Sequence, residues 1–451
     1  MSQLSTAALI QGIWELGNWK RFREHGFLRN VLVVMSGAAI SQIIGFAFSP
    51  ILSRLFGPTD FGLFGTFAAA SGIIGTAATL NYTDALMLPA KEEEAAPLFL
   101  FACLSSMVIA LATGALCLLA PATWLRLLGI DGLAHYLWVL PVSVLFLALA
   151  HSLMVWCSRL KAFKETSQSQ VLRSVTACVA QAAGGLGGLG GVGLMGAAVI
   201  GEASTTAFLG RTALRLSGRV LRTSWCWGEL WRKAREYREF AVYGCPQNVL
   251  NALSQGIPVL ALAHYYGAAV AGSYAFGHKL LQAPVNLVSA AMRPVLFQKL
   301  SQLNTSGNDL YLAFLKSTGA LIAVGFVPFC IGFLAAPSLF AIVFGEEWRE
   351  AGHYARWLIL WLSVVFCNVP STLALRILRL QRDLFLFDLL HLLVRIAALV
   401  LGGLWLGALK TVAILGLLGA LFNVVLIVYV GLRLRNRLPI RVVATSDSEQ
   451  S

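Results

Sequence analysis

SQIIGFAFSPILSRLFGPTDFGLFGTFAAASGIIGTAATLNYTDALMLPAKEEE, residues 41–94, is the stretch on which the fold turns. Two apolar runs are broken by Arg54, Gly57-Pro58 and Asp60, and then by Asn81 and Asp84. A spanning helix needs about 20 mostly apolar residues. A charge at the centre of such a helix costs roughly 2.5 to 3.5 kcal/mol, and less toward the interface. The stretch therefore reads as two membrane helices joined by a tight turn, with charges kept at their ends.

The same pattern extends over the whole chain. Of 451 residues, 58% are hydrophobic and 12% charged, and the mean hydropathy is +0.75. A soluble protein of this length is far less apolar. About twelve spans are predicted, near residues 31–52, 62–82, 97–119, 136–157, 171–189, 192–211, 240–264, 269–289, 312–335, 355–375, 384–405 and 412–430. With the N-terminus in the cytoplasm, cytoplasmic segments collect 27 of the 34 Lys and Arg, among them Arg159 to Arg173 and Arg211 to Arg238. Short cytoplasmic loops should hold these bases, so both termini are expected inside. Arg54, Arg126, Arg349, Arg356 and Lys410 fall on the other side, and Lys279 and Arg395 inside spans.

The formal charge of +13 is spread over many loops. Topology and anionic lipid account for it better than nucleic acid does. The eight cysteines form no CxxC pair and are expected as free thiols. No cleavable signal is apparent, since the first apolar run is membrane-length and follows a polar lead. Gly191-Val192-Gly193-Leu194-Met195-Gly196 matches the G-x-G-x-x-G pattern, but no strand leads into it. The glycines of residues 184–196 suit a tight turn between close-packed helices instead. There is no Walker A lysine loop, HExxH or G-x-S-x-G, which argues against an ATP-driven pump, a metallohydrolase or a serine hydrolase.

Six spans precede the basic segment and six follow. The expected division is a cytoplasmic segment 1–28, an N-lobe 29–212, a linker 213–238, a C-lobe 239–432 and a tail 433–451. Gly57-x4-Gly62-x-Phe64 is echoed by Gly267-x4-Gly272-x-Tyr274, each after the first helix of its half, and Ser41-Gln42 by Ser254-Gln255. Halves with even span numbers are oriented alike, about a pseudo-twofold along the membrane normal. The fold class is thus an all-α integral membrane protein of two six-helix lobes that could rock about a shared cavity. Trp225, Trp227, Leu230 and Trp231 among Arg232, Lys233 and Arg235 fit an interfacial helix or a plain basic loop.

Lys279, Arg395 and Glu202 lie nearest the midplane, where each needs a partner or a wet cavity. Two bases in a cavity suit an anionic cargo, because phosphate offers several acceptors and Arg can bind it bidentately. A helix-stapling pair such as Lys279 with Glu202 is the alternative. Arg54 and Asp84 stand at opposite ends of the first two spans, as mouth or gate residues. Asn81, Gln247, Asn248, Asn251 and Gln255 offer hydrogen bonds to sugar hydroxyls or between helices.

The runs SQIIGFAFSPILSRLFGPTDFGLFGTF, NYTDALMLPAKEEEA, YYGAAVAGSYAFGHKLLQAPVNLVSAAMRPVLF and LFAIVFGEEWREAGHYARWL together resemble Wzx-type polysaccharide flippases. These belong to the multidrug/oligosaccharidyl-lipid/polysaccharide exporter superfamily. The resemblance implies a twelve-helix transporter of the bacterial inner membrane, not an enzyme and without a cofactor. Its cargo would be an undecaprenyl-diphosphate-linked oligosaccharide, carried to the periplasmic leaflet by alternating access. Phospholipid, polysaccharide polymerase machinery and a coupling proton or cation are the implied partners. Lys279, Arg395 and Arg54, with Asn248 and Asn251, would meet the cargo, and Asp84 or Glu202 the coupling ion. Where the family commonly has glutamate before Ala-Leu-Met-Leu-Pro, this chain has Asp84. A drug and cation antiporter of the same superfamily, or a membrane polysaccharide polymerase or ligase, are the competing readings. The midplane bases oppose the first, and the short outer loops oppose the second.

Overall fold

A computed structural model describes residues 26–119, 137–305, 310–378 and 380–436. Most of the expected segment 1–28, most of the tail, Arg126 and the start of the expected fourth span at Tyr136 lie outside these residues. Every regular element described is a helix. In chain order these are α1 (Gly26–Leu55), α2 (Pro58–Ala78), the single turn α3 (Tyr82–Ala85), α4 (Glu92–Leu119), α5 (Val139–Arg159), α6 (Phe163–Leu186), α7 (Gly190–Thr223) and α8 (Trp227–Glu236). The second half follows as α9 (Cys245–Tyr266), α10 (Ala268–Thr305), α11 (Leu310–Phe344), α12 (Arg349–Cys367), α13 (Val369–Ile377), α14 (Gln381–Trp405) and α15 (Ala408–Arg435).

Among the described residues, nine helices are long and apolar enough to span a bilayer, or ten counting α10, which bends by 43° between Ala290 and Val295. Pro294 lies at that bend and has no N–H to continue the ladder. α12 and α13 share one of these spans. The two helices needed to reach the expected twelve are α6 and α9, of 24 and 22 residues. Both are long enough, at about 1.5 Å per residue, to cross the hydrocarbon core. Their polarity has a local cause: Lys164 to Gln170 and Arg173 lie on α6, and Asn248, Asn251 and Gln255 on α9.

The expected break among the glycines is a hairpin, with Gly188 at φ +68° and Gly190 at φ +53°, a backbone region that other residues enter at a cost. A Cβ on Gly184 would sit 3.0 Å from the Cα of Gly193, so α6 and α7 touch backbone to backbone there. The expected span 171–189 begins earlier, at Phe163, and 192–211 continues as helix to Thr223. Arg173 is therefore not a loop base, as its grouping with Arg159 implied, but sits ten residues into α6. All eight cysteines are free.

For three of the prolines inside helices, the carbonyl left without its usual donor has a local answer. The Ser49 hydroxyl donates to the Phe46 carbonyl freed by Pro50, at 2.5 Å. Arg356 Nε donates to the Phe333 carbonyl freed by Pro337, at 3.0 Å. Arg395 Nη1 donates to the Ser254 carbonyl freed by Pro258, at 3.0 Å.

Each half has its own core. In the first, Phe99 and Trp156 stack at 4.9 Å among Leu86, Leu98 and Leu209. In the second, Leu300, Phe314, Leu362, Phe366 and Val430 pack together. A third cluster joins the halves, with Leu52, Phe56 and Phe61 of the first against Phe276, Phe340, Phe344 and Trp348 of the second.

Candidate functional site

The joining cluster closes one end of the molecule. Phe61 lies 4.9 Å from Phe276 and 5.1 Å from Trp348, ring centre to ring centre. Such pairs add about 0.5 to 1.5 kcal/mol each beyond burial. The Ser53 hydroxyl donates to the Phe344 carbonyl at 3.0 Å, and the Trp348 indole returns a bond to the Ser53 carbonyl at 3.0 Å. Beside them the sequence echo acquires a physical meaning. A Cβ on Gly62 would overlap the Ala268 carbonyl, and one on Gly272 would overlap the Pro58 carbonyl. In the echo, Pro58 corresponds to Ala268 and Gly62 to Gly272. The contact is thus reciprocal, as two patches related by a twofold axis must be. Gly65 and Ala275, the next equivalent pair, also meet, with a Cβ on Gly65 falling 3.1 Å from that of Ala275.

Below this seam the halves part around a cavity of about 420 Å³. α2 supplies Phe64, Gly65, Ala68, Gly72 and Thr76 to its wall; α9 supplies Gln255 and Gly256; α10 supplies His278 and Lys279. A smaller recess continues past Lys279 to Gln42, Gly45, Phe46 and Ser49 of α1. Lys279 stands between the two spaces and is exposed to them, although α10 runs through the middle of the molecule. It makes no hydrogen bond or ion pair with any described residue, but interacts electrostatically with Arg173 and Cys178 of α6, in the opposite half. Of the echoed Ser-Gln pairs, Gln255 lines the cavity and Gln42 the recess.

Glu202 of α7 does not pair with Lys279. Its carboxylate accepts from Arg173 Nη1 at 2.6 Å, with the Arg173 side chain half exposed and that of Glu202 at 14%. Asn251 lies one turn from Gln255, whose amide donates to it at 3.4 Å. Asn248 donates to the Asn81 side chain at 2.8 Å and so ties the two halves together at the end opposite the seam. Asn81 precedes α3 in the left-handed conformation, at φ +59°.

Three of the expected residues lie elsewhere. Arg395 is buried, at 8% exposure, and does not line the cavity. Besides the Ser254 carbonyl it meets the Tyr274 hydroxyl at 3.4 Å and lies 4.7 Å from the centre of the Trp361 ring. Burying a guanidinium without a carboxylate costs several kcal/mol. A proline-freed carbonyl and an aromatic face offset that cost and hold α14 to α9, α10 and α12. Arg54 is exposed at the seam end, away from Lys279. Asp84 is exposed on α3, where it interacts with His151 of α5.

Two groups were not anticipated. Arg173 was hidden by the polar start of α6. Arg159 is the clamp of the Asp84 motif: its guanidinium donates to the carbonyls of Leu86, Pro89 and Lys91, at 2.6, 2.7 and 3.0 Å. A planar fork of donors spread over two nitrogens suits such convergent carbonyls.

Comparison with known proteins follows the same lines. Residues 51–353 match the model of a family described as polysaccharide biosynthesis protein. No curated protein sequence matches significantly. Among solved structures, the chain resembles the inward-facing conformation of a multidrug resistance MATE family transporter of the MOP superfamily, at 15% identity and a TM-score of 0.67. That match covers 90% of this chain and 98% of the other. An outward-facing conformation of such a transporter matches at 16% identity and a TM-score of 0.57, covering 90% and 95%. A MOP superfamily transporter from Pyrococcus furiosus, titled for the reverse polarity of its binding pocket, matches at 15% identity and 0.57, with the same coverage.

Proposed function

Because the chain belongs to the polysaccharide biosynthesis protein family and has the fold of a membrane exporter, we propose that it moves an undecaprenyl-diphosphate-linked oligosaccharide from the cytoplasmic to the periplasmic leaflet. The observation that carries this reading is Lys279, a cation with no hydrogen bond or ion pair to any described residue, in the cavity between the lobes. A lone charge in such a place is expensive unless it serves a ligand of opposite sign. The diphosphate linker is that ligand, and Gln42, Gln255 and Asn251 are polar groups for the sugar beside it.

The cavity holds far less than a sugar chain with its lipid, so only the linker and the first sugar need be enclosed. The prenyl chain stays in lipid beside the lobes. With the seam closed, cargo would load from the opposite, basic end, where the Asn248–Asn81 hydrogen bond is a contact that must part. Opening the seam and closing the cleft would release cargo on the other side, which is alternating access about two rigid bodies. Arg395 supports the path by fixing Pro258 of α9 and does not touch cargo in this state.

A drug antiporter would present carboxylates to a cationic drug. Here neither the cavity nor the recess beside Lys279 is lined by a carboxylate among the described residues, and that of Glu202 is paired with Arg173. The test is surface polysaccharide in cells producing Lys279→Ala or Lys279→Arg at normal membrane abundance. The alanine variant should lose polymer at least tenfold and the arginine variant should keep most of it. Undiminished polymer from Lys279→Ala contradicts the assignment.

A further inference from the structure

His278 precedes Lys279 on α10 and lines the same cavity. Its ring stacks on that of Tyr274, at 5.9 Å and 7° between planes, and on that of Trp361 from α12, at 5.9 Å and 26°. Rings at such separations hold one another in place, and no hydrogen bond to a described residue ties either imidazole nitrogen. The same two rings are the partners of Arg395. Its Nη2 lies 3.4 Å from the Tyr274 hydroxyl, and its guanidinium 4.7 Å from the centre of the Trp361 ring. A buried cation therefore stands one aromatic layer behind His278. The other titratable groups that face the imidazole are Lys279 and Tyr274 of its own helix. Elsewhere on the elements packed against α10 the charges stand within about two turns of a helix end, as do Arg54 of α1, Asp60 of α2, Lys316 of α11, Arg356 of α12 and Arg376 of α13. His264 lies in the last turn of α9, and His391 of α14 stacks on Phe422. In the empty cleft a charged imidazole would thus meet two cations and, among the described residues lining cavity and recess, no carboxylate.

We propose that His278 is the second headgroup residue of the cleft, and that its imidazole takes up a proton as the diphosphate enters. The inference rests on the lipid-linked diphosphate reading above. A diphosphate esterified at both ends carries one negative charge on each phosphate. Lys279 answers the first charge and the protonated His278, beside it on the same wall, the second. A permanent second cation lining an apolar cleft would be costly whenever the cleft is empty. Histidine avoids that cost, because it is the side chain whose charge small changes of surroundings can switch. The proton comes from water, binds the unprotonated ring nitrogen and leaves with the cargo, with no bond of the cargo broken. Arg395 is a positioning residue here. It holds Tyr274 and Trp361, and through them the ring, while its charge drives the proton off once the phosphates have gone. By linkage, a loaded site that carries more protons than the empty one must bind more tightly as pH falls.

The experiment measures binding of farnesyl diphosphoglucose to the full chain in nanodiscs of neutral lipid, from about pH 7.5 to about pH 5.5, where an ordinary imidazole charges. Both phosphates of this probe are ester-linked and keep their single charges over the range. Wild type should bind about five- to tenfold more tightly at the acid end. It should also take up protons on binding, read as a dependence of the calorimetric heat on the ionisation enthalpy of the buffer. His278→Gln, of similar size and still able to hydrogen-bond, should lose both signatures. Lys279→Ala should weaken binding at every pH. If wild type binds equally at both ends of the range and takes up no proton, or if His278→Gln keeps the pH dependence, the proposal is overturned; weak binding by Lys279→Ala then leaves the headgroup site standing. If Lys279→Ala binds as wild type does, the site itself is wrong. The wild-type measurements need no variant, so they decide the matter even if His278→Gln fails to fold.

Discussion

The seam and the cleft are formed by the same two helices, α2 and α10, a few turns apart, and they obey different rules. At the seam, Gly62 and Gly272 bring backbone against carbonyl, and Phe61, Phe276 and Trp348 fill the space around them. At the cleft, Gly72 of α2 faces an opening, with nothing within 4 Å of an added Cβ, and Lys279 of α10 lines the same space. Small residues thus serve contact at one level and space at the next. Disturbed packing is therefore what harms the seam, and loss of a charge is what harms the cleft.

Three sets of variants can break that division. The largest effect belongs to Gly62→Val, whose side chain must displace the Ala268 carbonyl. Overpacking of this kind costs about 1 to 3 kcal/mol or more, and the variant should lose folded protein by size-exclusion chromatography of the fluorescently tagged chain. Gly72→Ala, where an added Cβ meets nothing within 4 Å, should behave as wild type. Were Gly72→Ala as damaging, the contrast between levels would fail.

The second concerns Arg395. Its alanine variant strips the Ser254 carbonyl of its donor and should lower stability by about 1 to 3 kcal/mol, the cost of an orphaned buried acceptor. Pro258→Ala restores the N–H that Ser254 lacks. The loss on Arg395→Ala should therefore shrink in the Pro258→Ala background, read from thermal unfolding midpoints of the four proteins. An additive result would mean that the proline does not explain the arginine.

The smallest shift is that of Trp348→Phe, which keeps most of the ring packing and removes only the indole bond to Ser53, at about 1 kcal/mol. A measurable drop in midpoint with polymer export retained is expected. Lys279→Ala should show the reverse, export lost and midpoint unchanged or raised, because an unpaired charge has been removed. If Lys279→Ala destabilises the protein as Gly62→Val does, the lysine is a packing residue.

Much of this was legible in the sequence. Apolar run length fixes how many helices can cross, and the Gly57/Gly267 echo locates the pseudo-twofold contact, although composition could not say that its glycines touch one another. Lys279 was legible because it falls near the middle of an apolar span, where a charge needs a partner or a wet cavity. Arg395 has the same depth signal and a different role. Depth follows from position along α14, whereas direction depends on where Pro258, Tyr274 and Trp361 of three other helices lie. Arg173 was obscured for the opposite reason. The run Lys164-Glu165-Thr166-Ser167-Gln168-Ser169-Gln170 reads as loop, yet it is the first two turns of α6, whose neighbours supply the burial that composition does not. Arg159 left no trace, because backbone carbonyls have no sequence signature.

On the proposed function, Lys279 serves passage of a lipid-linked cargo between leaflets. The most direct measurement is the leaflet on which the undecaprenyl-linked repeat unit collects in cells whose only copy is Lys279→Ala. Accumulation on the cytoplasmic leaflet, with surface polymer lost, is the predicted result. Accumulation on the periplasmic leaflet would place the defect after passage, in polymerisation or ligation, and would contradict the account.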